Sequence, residues 1–190
     1  MLSEVEKWTG RDGERFLKDV GIEKGWYVLD FGCGKGRYAI PLAKVVGNKG
    51  KVFAFDKDEY SLDEVRMLAK ESRLNNIELV KGDTELPLEN NIVDAVLCYD
   101  MIHYMGDRNL IYSEVYRVLK SGGLFSLYPK HYKKDYPLME LSLLDLEDII
   151  KEVEKAKFVL KGKLDRRCLH DGSYNDCVVL NFSPLEKRSN

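Results

Sequence analysis

The chain has 190 residues, 44% hydrophobic and 33% charged, with a formal net charge of −2. That length supports one domain with a sizeable buried core, and the charge balance gives no global attraction to nucleic acid or anionic lipid. No apolar run approaches the roughly 20 residues that span a bilayer, and the acidic start Met1-Leu2-Ser3-Glu4-Val5-Glu6-Lys7 is unlike a signal peptide, so a cytoplasmic protein with no membrane partner is expected.

In chain order, the pattern alternates helices and strands. Residues 3–20 read as one or two helices, with Trp8, Phe16, Leu17 and Val20 on the apolar side, broken by Gly21 and Gly25. Residues 26–31 form an apolar run rich in β-formers, as in a strand buried on both faces. A helix is expected over 36–46, with Pro41 inside it removing one backbone hydrogen bond. Strands follow at 51–55, 77–80, 93–99 and 124–128, and helices at 61–72 and 109–119. Ser121-Gly122-Gly123 should stop the last of these. A long amphipathic helix over 142–156 leads into a closing hairpin, 158–168 and 176–182, around His170-Asp171-Gly172-Ser173. The four cysteines, Cys33, Cys98, Cys168 and Cys177, make no C-x-x-C pair; free thiols are expected, and the spacing offers no metal-ligand cluster.

The richest stretch is Val28-Leu29-Asp30-Phe31-Gly32-Cys33-Gly34-Lys35-Gly36-Arg37. A strand end meets a carboxylate, then three glycines at alternate positions, then a helix. Glycines permit φ > 0 and close approach of a ligand to the main chain, and helix N-terminal N–H groups face that ligand. The dinucleotide fingerprint is G-x-G-x-x-G, but Arg37 stands where its third glycine belongs. Asp30 would repel a pyrophosphate and suits an ammonium or sulfonium. A tight turn with no ligand is the alternative.

D-x-G-x-G-x-G after a first strand resembles motif I of the class I, Rossmann-like S-adenosylmethionine-dependent methyltransferases, and the resemblance runs from about residue 26 to 182. It implies a three-layer, doubly wound α/β fold with a seven-stranded, mostly parallel sheet of order 3-2-1-4-5-7-6, strand 7 antiparallel. A single domain over 1–190 is expected, with residues 1–25 as a helical lid and 129–141 as a short acceptor-side insert. By the same resemblance the cofactor is S-adenosylmethionine, leaving as S-adenosylhomocysteine. Asp30, Gly32, Cys33, Gly34 and Gly36 belong to its loop, Asp56 to the ribose hydroxyls, and Lys57 to the adenine edge. Gly82, Asp83 and Thr84 flank the adenine, with Thr84 where alanine is common, and Tyr99 lies in the segment beside the methyl group. Asp94-Ala95-Val96 matches the family's lead-in to that segment. Leu119-Lys120-Ser121-Gly122-Gly123 resembles its L-x-P-G-G turn, with Ser121 in the proline position.

Asp100, His103 and Tyr104 are the acceptor-side candidates, with His103 as a possible general base because its ordinary pKa lies near neutrality. A histidine that only packs or caps is the alternative. No N/D-P-P-Y segment follows strand 4 and no Pro-Cys nucleophile appears, which disfavours base methylation of nucleic acid without excluding it. Lys130-His131-Tyr132-Lys133-Lys134 could touch phosphate or simply be solvated. Tyr128, His131, Tyr132, Tyr136 and Met139 could line a small acceptor's pocket. The pairing of Cys33 with Cys98 evokes arsenite methylation, but the placement fits poorly. The leading expectation is a small-molecule acceptor and a monomer or homodimer. A non-catalytic or partner-activating cofactor-binding subunit, an RNA or protein methyltransferase, and a nicotinamide oxidoreductase are the competing classes; Asp30 and Arg37 speak against the last.

Overall fold

The computed structural model describes residues 2–136 and 139–186. Seven strands form one sheet of order β3-β2-β1-β4-β5-β7-β6. The strands are β1 (Tyr27–Phe31), β2 (Lys51–Asp56), β3 (Ile77–Lys81), β4 (Val93–Tyr99), β5 (Leu119–Tyr128), β6 (Phe158–His170) and β7 (Ser173–Pro184). The first five run parallel, and β7 is antiparallel to both β5 and β6. The fold expected from the resemblance is therefore the fold observed.

Side-chain alternation along the strands feeds two separate cores. Val28, Ala54, Leu97 and Tyr99 point to one face and pack with α2 (Gly13–Val20), α3 (Ala39–Val46) and α4 (Glu59–Glu71). Leu29, Phe31, Phe53, Phe55, Val96 and Cys98 point to the other, against α5 (Arg108–Val118) and α6 (Leu146–Lys155). The central strands are buried on both sides, which explains their continuous apolar runs. Cys33 and Cys98 lie in opposite cores, so they cannot act as a thiol pair, and all four cysteines are free.

Several boundaries move for identifiable reasons. The first helix is α1 (Glu4–Lys7), capped by a Ser3–Glu6 capping box, and it continues through a π-helical turn at Trp8–Asp12 into α2. Helix α3 is regular from Ala39, but the Ile40 N–H already donates to the Gly36 carbonyl and the Leu42 N–H to the Tyr38 carbonyl, so Pro41 leaves a one-bond gap in the ladder, as expected. The Arg37 carbonyl instead accepts from the Trp8 indole at 2.9 Å. The carbonyl that Pro41 leaves without a helical donor is thereby satisfied. The glycine pair at 122–123 lies just past the end of α5 at Val118: Leu119 pairs with Val93 and pairing resumes with Leu124 opposite Ala95, so residues 120–123 leave the ladder, with Gly122 at φ of 73°. What reads as one helix over 142–156 is a 3₁₀ turn at Glu140–Leu143 and then α6, which begins after a second capping box, Asp145 with Asp148. No helix joins β3 to β4. That connection is held by Arg117, whose guanidinium donates to the Leu86 and Leu88 carbonyls at 2.8 and 2.6 Å.

The hairpin is longer than expected. Only residues 180–182 of β7 pair with β5, whereas the β6–β7 ladder runs to His170 opposite Ser173. Its distal half therefore projects past the carboxyl edge of the sheet. Tyr38 anchors it by donating its hydroxyl to the Leu169 carbonyl at 2.8 Å. Glu4 accepts from the Tyr174 N–H, and Asp12 from the Tyr174 hydroxyl. Among the described residues no helix is long and apolar enough to cross a membrane.

Candidate active site

Ligand sites in open parallel sheets lie beyond the carboxyl ends of the strands, where the chain order reverses. Here a cavity of 840 Å³ opens at that point, between β1 and β4. Gly32, Cys33, Gly34, Asp56, Lys57, Asp83 and Tyr99 line it at one end. Asp100, Met101, Tyr104, Met105 and the hairpin tip, Leu169 to Gly172, line the other. The described residues of the 1–25 segment expected as a lid are not among those lining it; Trp8 bonds the Arg37 carbonyl before α3, and Glu4 and Asp12 brace the hairpin. Pro137 and Leu138, part of the expected insert, lie outside the described residues.

The loop after β1 has the backbone its sequence requires. Gly32, Gly34 and Gly36 have φ of 77°, 47° and 75°, a region that L side chains rarely adopt. A Cβ on Gly32 would approach Met101 to 3.1 Å, and one on Gly36 would approach Val65 to 3.0 Å. The Gly32 and Cys33 N–H groups both donate to the Phe55 carbonyl at 2.9 Å, so the loop is fastened to β2. Asp56 at the end of β2 accepts from the Gly34 N–H at 2.8 Å and the Asp58 N–H at 3.0 Å. Lys57 and Asp83 face one another at 3.6 Å across the same rim.

Asp30 is different: it is 3% exposed and stands under the loop rather than in the cavity wall. Burial pushes its carboxyl up to about 7, and the Asp56 charge adds to the shift, against a backbone hydrogen bond from Ala39. One of its oxygens, Oδ2, has no hydrogen-bond partner. A buried carboxylate oxygen without a donor is costly, and a nearby cationic ligand would offset that cost. Gly36, Gly82 and Thr84 also stay out of the cavity wall. A Cβ on Gly82 would meet the Phe55 ring at 2.6 Å.

At the other end, Asp100 continues the β4–β5 pairing through its N–H to the Tyr128 carbonyl at 3.0 Å. Its φ of 54° turns the side chain out of the sheet. Asp100 Oδ2 hydrogen-bonds His170 Nδ1 from the hairpin tip, and Oδ1 lies 3.4 Å from His131 Nε2. His103 stands behind this group, 5% exposed and absent from the cavity wall, stacked on Tyr104 with ring centroids 3.9 Å apart. Burial, then the neighbouring His131 and His170, push it down to about 4, which keeps the ring neutral. Of the three acceptor-side candidates, Asp100 and Tyr104 reach the cavity and His103 does not. In the sequence His170 stands only as part of a turn, and His131 only as an aromatic or basic loop residue. The one signal available is that the chain has just three histidines, each at or just beyond the carboxyl end of a strand.

Comparison with known proteins fits this geometry. A family model described as a methyltransferase domain matches residues 29–127, from β1 to the end of β5. The demethylmenaquinone methyltransferase of Staphylococcus aureus strain MRSA252 is 38% identical over 186 residues, 90% of this chain and 76% of that protein. The chain belongs to the S-adenosylmethionine-dependent methyltransferases. The crystal structure of a methyltransferase of this kind from Aquifex aeolicus superposes with a TM-score of 0.78 at 25% identity, covering 95% of this chain and 93% of that one. The cyclase SpnF shares the fold at 21% identity, with a TM-score of 0.69 over 80% of this methyltransferase and 60% of SpnF. At that distance only the architecture is shared, and one architecture can host different reactions.

Proposed function

We propose that this methyltransferase modifies a small organic acceptor, bound at the end of the cavity walled by Asp100, Met101, Tyr104, Met105 and His170. The observation that carries the proposal is the two-ended cavity. Its 840 Å³ is in the range of small-molecule sites, and its acceptor end combines apolar methionines and a tyrosine with one polar pair. The name of the Staphylococcus relative, a demethylmenaquinone methyltransferase, supports an organic rather than a macromolecular acceptor.

S-adenosylmethionine supplies a methyl group on a positively charged sulfur. The residues present fit that molecule. The three positive-φ glycines leave the loop backbone open to close approach, Asp56 offers a carboxylate at the ribose position, and Asp83 does so at the adenine position. Asp30 places negative charge beneath the loop, where an ammonium or sulfonium would relieve its burial. Tyr99, its hydroxyl bonded to Ser126 Oγ at 2.7 Å, fixes the wall between the two ends. Asp100, Tyr104 and His170 would then hold the acceptor's reacting atom in line with the methyl group, which is the main protein contribution to such a transfer. His103 props Tyr104 and His131 from behind.

Calorimetry with S-adenosylmethionine and S-adenosylhomocysteine tests the cofactor end. Formation of S-adenosylhomocysteine across a panel of quinols, phenols and small amines, with RNA and protein acceptors alongside, tests the acceptor class. Transfer to RNA or protein alone would overturn it.

A further inference from the structure

All three histidines of the chain meet around one carboxylate. Potential ligand atoms of Asp100, His131 and His170 all lie within 4.8 Å of one another. The three come from the end of β4, the loop after β5 and the tip of the β6–β7 hairpin. We propose that Asp100, His131 and His170 form a binding site for a divalent first-row transition-metal ion at the acceptor end of the cavity.

The donor set is two imidazoles and one carboxylate, which suits zinc, iron(II) or cobalt(II) better than magnesium or calcium. The spacing suits it too. Two ligands with bonds of about 2.0–2.1 Å at tetrahedral angles stand about 3.3–3.4 Å apart, and Asp100 Oδ1 and His131 Nε2 are separated by 3.4 Å. A hydrogen-bonded Asp100–His170 pair alone would need no second imidazole on the other carboxylate oxygen. Asp100 Oδ1, the oxygen that faces His131 Nε2, is buried and makes no hydrogen bond. A buried carboxylate oxygen is seldom left so.

The surroundings resemble the support of a metal site. The far nitrogen of His131, Nδ1, faces Asp135 Oδ2 at 3.5 Å, and His170 Nε2 faces Asp171 Oδ2 at 3.5 Å. Carboxylates placed behind ligating imidazoles orient the rings and raise their basicity. Asp100 and His131 hold φ of 54° and 67°, uncommon for residues other than glycine. Two of the three ligands, Asp100 and His170, line the cavity, whereas His131 closes the site from behind. The open coordination positions therefore face the acceptor, where a lone pair on its oxygen or nitrogen can coordinate. That last role rests on the acceptor placement proposed above; the binding of the ion does not.

The test uses the full chain, free of any affinity tag and stripped with a chelator. Titration calorimetry with zinc chloride and the visible spectrum with cobalt(II) are the readouts. The expected result is one ion per chain, with cobalt(II) bands of nitrogen and oxygen ligation. His131→Ala and His170→Ala should each weaken binding more than tenfold, with thermal melts showing that the variants are folded. Absence of stoichiometric binding, an affinity unchanged in both variants, or thiolate-to-cobalt charge-transfer bands would each overturn the proposal. Should the variants not fold, the spectrum of the wild-type protein decides. S-adenosylmethionine binding, measured on the same chelator-treated protein, separates failure of the metal site from failure of the methyltransferase site.

Discussion

The cavity end proposed for the cofactor draws on residues 32–83, after the ends of β1, β2 and β3 in succession, with Tyr99 from β4, whereas the cluster proposed beside the acceptor joins Asp100, His131 and His170 from three separate parts of the chain. The first is built from backbone: glycines with positive φ, N–H groups tied to the Phe55 carbonyl, and carboxylates at strand ends. The second is built from side chains that converge only because β7 returns antiparallel to β5 and swings the hairpin tip over β4. A backbone site tolerates change around it as long as its loop conformation survives. A convergent side-chain site depends on every element that positions it, including α1, which anchors the hairpin through Glu4. One end can thus stay fixed for a common cofactor while the other is rebuilt for a different acceptor.

Asp30 offers the largest lever on that contrast. Its folded pKa, about 7, lies above the value of about 3.9 of an unfolded chain, so the folded state holds the proton more tightly. Stability from this group is fully present below pH 4 and is lost as pH rises through 7. Its titratable neighbours do not obscure this window: burial raises the Cys33, Cys98 and Tyr99 side chains, which keeps them neutral there, and Asp56 adds its charge to the shift on Asp30. Asp30→Asn should raise unfolding stability by about 2–4 kcal/mol at pH 8 and by almost nothing at pH 4, read from urea denaturation at the two pH values. The same substitution should lower affinity for S-adenosylmethionine. Equal stabilisation at both pH values would show that Asp30 is not a buried carboxyl held against its charge.

Asp56→Ala comes next and should touch the cofactor end alone. It removes the acceptor for the Gly34 and Asp58 N–H groups and the carboxylate proposed for the ribose. Hydrogen bonds to a charged group are worth about 1.5–3 kcal/mol, so the S-adenosylmethionine Kd should rise by roughly one to two decades. Cobalt(II) binding at the other end should not move. A coupled loss would mean that the two ends are one unit.

The sequence made the first end legible and the second nearly invisible, for reasons that lie in the residues. D-x-G-x-G-x-G is local: its glycines are needed by the very backbone they occupy, so spacing alone carries the information. Asp56 and Asp83 extend that reading because each ends a strand whose apolar run is itself legible. The seven-stranded order followed from the resemblance, and the closing hairpin from its apolar pattern. Pro41 is legible in the same way: the bonds of Ile40 to Gly36 and of Leu42 to Tyr38 flank the one it cannot make, and only the Trp8 indole that replaces it is invisible locally. Gly122-Gly123 punctuate as their composition suggests, in the unpaired stretch between Leu119 and Leu124 just past the end of α5. His170 gave no local sign at all. Its partner Asp100 lies 70 positions away in sequence, and their contact depends on how far the hairpin overhangs the sheet. His103, by contrast, lies close to Asp100 in sequence and drew notice for that reason, yet the 3₁₀ turn at Ile102–Tyr104 buries it and exposes Tyr104 in its place.

Gly32→Ala sits on the border between the two ends. Forcing a Cβ onto a residue with φ of 77° costs about 1–2 kcal/mol, and that Cβ would press on Met101, part of the acceptor wall, at 3.1 Å. Thermal unfolding should register the strain, and the S-adenosylmethionine Kd and the acceptor KM should both rise. A rise in the first with no change in the second would place Met101 outside the acceptor's reach.

Tyr104→Ala is the smallest expected effect and the most selective. The side chain is 69% exposed and rests on the His103 ring, so its removal should cost less than about 0.5 kcal/mol of stability. Cofactor affinity should be unchanged, because the residues proposed to hold S-adenosylmethionine come from β1, β2, β3 and their loops. If Tyr104 covers the acceptor, KM for that acceptor should rise several-fold while the turnover number falls less, the pattern of lost binding shared by ground and transition states. A fall in turnover with KM unchanged would instead give Tyr104 a role in the transfer itself. It would also show that the acceptor end, like the glycine-loop end, has an essential group next to a strand end.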